Sequence, residues 1–222
     1  PFDAKVVYRR VTNNIKLYAK QRRLIRMVTE QIREREENVS MLVGVLSQIV
    51  EFRNGESGLH VKHIRRFTEC ILDCLIEKDP DLHLGTKERE NIPLASALHD
   101  IGKIAVDDKI LNKPGRLTPE EFEAVKLHTV YGAKMLEELQ PYYDEPLLKT
   151  ATDIAHWHHE RWDGRGYPDG LVGDAIPLSA QIVSLADVYD ALTSERCYKK
   201  AYSHDKAVEM ILNGECGVFN PL

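Results

Sequence analysis

Between Phe2 and Val43 the chain contains neither proline nor glycine. So long a run without a helix breaker restricts the backbone to few conformations. Its apolar residues fall at Val11, Ile15, Tyr18, Ile25, Val28, Ile32, Val39, Leu42 and Leu46, an alternating three-four spacing. That spacing predicts one long amphipathic helix over Val11–Leu46, either packed along its own domain or paired in a coiled coil. Dense charge on the other face favours a helix that pairs with its equivalent in a second chain, giving a homodimer. In "REREEN" the apolar positions lapse for almost two turns, and a break is expected there if anywhere.

Shorter helical patterns follow. "HVKHIRRFTECILDCLIE" carries His60, Ile64, Phe67, Ile71 and Leu75 on one face. "TPEEFEAVKLHTVYGAKMLEEL" opens with Thr118 as N-cap, Pro119 at the first helical position and Glu121 completing a capping box. Its stripe runs Phe122, Val125, His128, Met135 and Leu139, which predicts one continuous helix. "SAQIVSLADVYDALTSE" reads as another helix, with Asp187 and Asp190 on its surface. A Gly- and Pro-rich loop, "RWDGRGYPDGLVGDAIP", lies between these two. Alternating strand patterns are scarce, so the predicted class is all-α.

Composition narrows the function classes. With 222 residues and 43% hydrophobic content, the chain can bury one sizeable core with an appendage. A net charge of −5 without a basic stripe argues against a nucleic-acid polymer as partner. The apolar stretches are too short for a membrane segment, and no signal-peptide pattern is present. The start at Pro1 rather than Met is expected of a piece of a longer protein. Four cysteines, Cys70, Cys74, Cys197 and Cys216, form no CxxC pair, so buried free thiols in a reducing cytoplasm are expected.

The histidines carry the chemistry. His60 starts a helix, His99 precedes Asp100, His128 sits on an apolar stripe, and His158 and His159 are adjacent. A lone histidine on an apolar face is more often a satisfied core residue than a ligand. Several with carboxylates nearby shift the balance, because each unpaired buried ionisable group costs several kcal/mol. Mixed imidazole and carboxylate donors suit iron, manganese or zinc, and the absence of thiolates argues against a structural zinc.

"HDIGK", "KPG", "HHERWDGRGYP" and "DVYDALTSERCYKK", in that order, resemble the HD-GYP branch of the HD phosphohydrolase superfamily. The resemblance covers most of the chain and divides it into a linker helix over residues 1–48 and a metal-dependent phosphohydrolase domain over residues 49–222. It implies a helical bundle holding two or three transition metal ions, commonly iron or manganese, and hydrolysis of cyclic di-GMP to pGpG and often onward to GMP. Carried over by position, it makes His60, His99, Asp100, His128, His158, His159 and Asp187 metal ligands, with Glu56 as an extra ligand. Lys103 would lie by the metals and the scissile phosphate, and Tyr167, Arg196 and Lys199 match phosphate-binding positions. A GGDEF-domain partner is implied as well. Two departures, Cys197 where the family usually shows proline and Gln181 where arginine is common, touch no implied ligand. The opening "PFDAKVVYRRVTNNIKLY" resembles the final helix of a response-regulator receiver domain. The alternatives are a hydrolase of another cyclic dinucleotide and a non-catalytic signalling module that binds a nucleotide or partner.

These residue types suit phosphodiester hydrolysis. Two cations about 3.5–4 Å apart offset the charge of the phosphodiester, lower the pKa of a water between them and clamp the attacking and leaving oxygens. Asp100 is the candidate bridge, since a carboxylate has two oxygens. Lys103 would stabilise charge on the phosphoryl oxygens.

Overall fold

The computed structural model describes residues 3–54, 58–79, 81–139, 146–195 and 200–221. Glu56, Arg196, Cys197 and Lys199 lie outside the described residues. The chain divides into two units, Pro1–Leu42 and Val43–Leu222.

The expected long helix forms. Helix α1 runs Ala4–Arg53, through "REREEN" without a break. Within the charged run Arg33 pairs with Glu30 and Glu37, its neighbours three and four positions away, each pair adding a little support to the helix. Within the first unit the apolar stripe stays open to solvent; Ile25 and Val28 are 57% and 53% exposed.

The second unit holds the last turns of α1 and the rest of the helices: α2 (His60–Lys78), α3 (Thr86–Ser96), α4 (Asp108–Leu111), α5 (Pro119–Lys126), α6 (His128–Glu137), α7 (Pro146–Trp157), α8 (Leu178–Thr193) and α9 (His204–Leu212). Short 3-10 turns cover Ile101–Ala105 and Gly173–Ala175. Among the described residues the only β pairings are two isolated bridges, so the all-α expectation holds. Helix α7 packs on α6, α3 and α8, and α2 packs on α3 and α8. Ile64, Ile154 and Val183 are fully buried, and burying each contributes roughly 1.5–3 kcal/mol. A second apolar group is Leu72, Ile92 and Ile182, with Ile71, Leu75 and Leu84 packed against it.

The fold corrects three expectations. The helix expected to run unbroken from Thr118 stops at Lys126 and restarts at His128. The side chains of His128 and Thr129 take the carbonyls of Val125 and Lys126, which competes with the helical ladder. The buried face is therefore His128, Thr129, Gly132, Ala133 and Leu136, while Phe122, Met135 and Leu139 are exposed. The Thr118 capping box itself forms as expected, with Glu121 N–H donating to Thr118 Oγ1 at 3.2 Å and Thr118 N–H to Glu121 Oε2 at 2.7 Å. Next, Cys70 and Cys74 are free but exposed rather than buried, because the inward face of α2 is His60, Ile64, Thr68 and Leu72. Finally, Asp190 points inward from α8 and is 1% exposed, so it is no surface residue.

One close approach shapes the site. The Ile101–Ala105 turn lies against α6 at Gly102, where an added Cβ would overlap the His128 carbonyl oxygen and the Gly132 amide. Glycine at this position lets the turn after His99 and Asp100 come down onto the start of α6.

Candidate metal centre

His99 and Asp100 do not sit in a helix. They follow the end of α3 and precede the 3-10 turn, and this tight bend aims both adjacent side chains at one region. The other candidates also lie at helix ends: His60 opens α2, His128 opens α6, and His158 and His159 follow α7. Asp187 comes from the middle of α8.

Each of three buried rings donates from Nδ1 to a backbone carbonyl: His99 to Ser96 at 2.9 Å, His128 to Val125 at 2.7 Å and His158 to Ile154 at 2.9 Å. His60 donates from Nδ1 to Asp190 Oδ2 at 2.7 Å. A ring that donates from Nδ1 presents its Nε2 lone pair when neutral, which is how metal-ligating histidines are set. The Nε2 atoms face each other, His60 to His99 at 3.4 Å and His128 to His158 at 3.4 Å. Facing lone pairs repel unless a proton or a cation lies between them.

Asp100 joins the two pairs. Its Oδ2 is 3.2 Å from His99 Nε2, and its Oδ1 is 3.3 Å from His128 Nε2 and 4.0 Å from His158 Nε2. Oδ1 is buried and accepts no hydrogen bond. Two donor clusters result, His60 with His99 and Asp100, and His128 with His158 and His159; within each, the donor atoms lie within 4.8 Å of one another. Asp187 Oδ1 stands 3.7 Å from His60 Nε2 at the edge of the first cluster. Two donors at about 2.1 Å from one ion stand about 3.0–3.4 Å apart between octahedral and tetrahedral angles. Nitrogen and oxygen donors at these separations, with an orphaned carboxylate oxygen among them, fit metal ions.

Charge in the cluster follows the same logic. Burial opposes a proton on His99, yet the Asp100 carboxylate, with Asp187 behind it, holds its pKa up at about 9. Burial works against the Asp100 carboxylate too, but Lys103 and His99 keep its pKa well below the usual range. Lys103 Nζ is 2.6 Å from Asp100 Oδ2. Burial drives His158 and His159 well below an ordinary histidine, and His128 down as well, so these rings are neutral and leave nitrogen lone pairs to offer a metal ion.

The Gly166-Tyr167-Pro168 loop stands beside the second cluster. Tyr167 stacks on His159, centroids 4.7 Å apart and planes at 28°, and burial pushes its hydroxyl pKa up. Glu160, 2% exposed, holds the loop: its carboxylate accepts from Asp169 N–H at 2.7 Å, Gly170 N–H at 3.0 Å and Leu171 N–H at 3.0 Å. His156 turns away from the cluster to Asp169 at 3.0 Å. Gln181 Nε2 donates to the Ile176 carbonyl and its Oε1 accepts from Asn220, so this departure from the family pattern is a structural tie.

Sequence reasoning missed Asp190 and Glu160. Asp190 lies one helical turn after Asp187 in "DVYD", and it accepts from His60, from His63 Nδ1 at 2.8 Å and from Ser194 Oγ at 2.8 Å. Glu160 stands inside "HHERWDGRGYP", where a carboxylate three residues after a helix end is the only signal.

A helical bundle whose helix ends bring together histidines and one shared aspartate is a scaffold suited to holding metal ions. The chain matches the HD domain family over residues 20–216 and belongs to it. It is 40% identical over 185 residues, 82% of the chain, to a protein named probable cyclic di-GMP phosphodiesterase of Vibrio cholerae serotype O1, of which it covers 42%. It is 37% identical over 205 residues, 92% of the chain, to the cyclic di-GMP phosphodiesterase response regulator RpfG of Xanthomonas campestris pv. campestris, of which it covers 50%. The chain thus spans half or less of the length of these curated relatives. Among solved structures, a cyclic GMP-AMP specific phosphodiesterase of V. cholerae shares the fold, with a TM-score of 0.57 and 19% identity over 82% of this chain and 46% of that one.

Proposed function

We propose that this chain is a metal-dependent phosphodiesterase that hydrolyses cyclic di-GMP to pGpG, with GMP as the further product that separation of products would detect. The observation that carries the reading is Asp100, whose two oxygens face two separate histidine clusters. His60, His99, Asp100 and Asp187 would hold one ion, and His128, His158, His159 and Asp100 a second. Glu56 is the proposed ligand of a third, and iron or manganese is the proposed metal from the donor types. Bound cations neutralise the phosphodiester charge and lower the pKa of a water. Lys103, which stands against the shared carboxylate, is the proposed source of positive charge for the phosphoryl oxygens. Tyr167, Arg196 and Lys199 are the proposed phosphate contacts. Support for the substrate comes from the two named relatives and from the loop motif.

The linker at residues 1–48 is proposed to pair with its equivalent in a second chain, supported by the exposed apolar stripe of α1. A receiver domain upstream is proposed from the first residues and from the response-regulator name of the Xanthomonas relative. A GGDEF-domain partner and a cytoplasmic location rest on the resemblance; among the described residues no helix is long and apolar enough to cross a membrane.

The test is anaerobic reconstitution with iron or manganese, elemental analysis, and separation of products from cyclic di-GMP and, in parallel, 3′3′-cGAMP. Two or more metals per chain with pGpG formation supports the reading. Full metal content with turnover of cGAMP alone assigns another cyclic dinucleotide. Full metal content without turnover of either leaves the signalling module. Light scattering at micromolar concentration tests the dimer, with Ile25→Glu and Val28→Glu expected to convert it to monomer.

A further inference from the structure

The "HDIGK" turn has a second attachment besides α6. The last residue of α1, Arg53, reaches across it. Its Nη1 donates to the carbonyls of Lys103 at 2.8 Å and Ile104 at 2.6 Å, and its Nη2 to that of Val106 at 2.6 Å. Its Nε pairs with Asp108 at 2.8 Å, and its own carbonyl accepts from Asn112 Nδ2 at 3.1 Å. The guanidinium thus spans the exit of the Ile101–Ala105 turn, sharing the Lys103 carbonyl with the Val106 N–H, which donates to it at 3.1 Å, and reaching the Ile104 and Val106 carbonyls beyond it. A planar fork of five N–H groups can serve three carbonyls and a carboxylate at once, which no other side chain can do.

The same end of α1 touches the start of α2. Glu51, 4% exposed, accepts from the Val61 N–H at 2.8 Å, one residue after His60. Two side chains two positions apart on one helix end therefore hold the two segments that carry His60 and Asp100. The turn also carries Lys103, whose Nζ meets Asp100.

We propose that Arg53 is a positioning residue, clamping the Lys103–Val106 backbone so that Asp100 and Lys103 stand at fixed places relative to His60 and His128. Among the described residues the Arg53 side chain bonds to the turn carbonyls and to Asp108 rather than to a proposed ligand, so it acts through the turn. The part of this inference that concerns rate rests on the hydrolytic reading above, while the part that concerns metal affinity does not.

The experiment uses the full 222-residue chain with Mn2+ as probe. Arg53→Gln keeps a hydrogen-bonding side chain but loses the charge and the fork. Titration of Mn2+ into metal-free protein is expected to show affinity weakened about tenfold, the lower end for losing a group that orients a ligand. Amide exchange over residues 101–106 is expected to rise. With Mn2+ saturating, kcat on cyclic di-GMP is expected to fall at least tenfold with KM within twofold. In a Lys103→Met background the same Arg53→Gln change is expected to lower kcat little further, because saturating Mn2+ offsets the weakened Asp100 site and the remaining effect passes through Lys103. Should Arg53→Gln fail to fold, Arg53→Lys carries the same comparison with one donor group left. A variant with faster exchange or lower Tm but unchanged Mn2+ affinity and unchanged kcat overturns the proposal and makes Arg53 a structural tie. Equal losses of kcat with and without Lys103 overturn the route through Lys103. If the wild-type chain turns nothing over yet Arg53→Gln weakens Mn2+, the clamp stands and the hydrolytic reading fails.

Discussion

Asp190 offers the sharpest test of how the metal centre is set. It is 1% exposed, and its two oxygens accept from His60 Nδ1 at 2.7 Å and His63 Nδ1 at 2.8 Å, with Ser194 Oγ also on the His63 side. Burial works against its charge, but the bonds from His60 and Ser194 hold its pKa below the usual value, so it is a carboxylate at neutral pH. Asp190→Ala removes the acceptor that keeps the proton on His60 Nδ1. A hydrogen bond to a charged partner is worth about 1.5–3 kcal/mol, which corresponds to roughly a 10- to 150-fold loss of metal affinity at about 1.4 kcal/mol per tenfold. Asp190→Asn should behave differently. Its amide oxygen can face His60, while its NH2 faces His63, which is 44% exposed and can switch tautomer at little cost. A neutral hydrogen bond of about 0.5–1.5 kcal/mol then survives, leaving a loss of about 1–1.5 kcal/mol, roughly five- to tenfold. Calorimetric titration of Mn2+ into the metal-free variants measures both losses. Alanine binding as tightly as wild type, or asparagine falling as far as alanine, would refute the tautomer argument.

Asp100→Ala is expected to leave a folded helical protein by circular dichroism and to reduce hydrolysis to background, because one carboxylate serves both clusters. Arg196→Ala and Tyr167→Phe are expected to weaken cyclic di-GMP binding while metal content by elemental analysis stays at the wild-type level, with a cost for Arg196 of about 1.5–3 kcal/mol if it makes a charge-assisted phosphate contact. Gly102→Ala places a methyl group against the His128 carbonyl and the Gly132 amide. The expected destabilisation is at least the ~1–3 kcal/mol of ordinary overpacking, read as a lower Tm in a scan, and metal affinity should fall with it because the turn is pushed off α6.

Local pattern determined a good deal by itself. The long helix, the Thr118 cap and the loop after His159 need only neighbours in sequence, because helix propensity, capping and glycine all act within a few residues. The candidate ligands His60, His99, Asp100, His128, His158 and His159 were legible as a resemblance of motifs, since each motif is short and contiguous. What tertiary structure decided are the relations across elements. Apolar spacing read as one stripe from Phe122 to Leu139, yet two side chains bonding back to the ladder split that helix at His128 and turned Gly132, Ala133 and Leu136 inward. Asp187 and Asp190 looked equivalent on α8, but α2 packs there, so Asp190 is buried under His60 and Asp187 stands at the edge of the cluster. Arg53 is one charge among many at the end of a long charged helix, and only packing sets it across a turn fifty residues away in sequence. Partners so far apart in the chain are chosen by burial and by the need of each buried polar group for a counterpart, and no periodicity in the sequence encodes that choice.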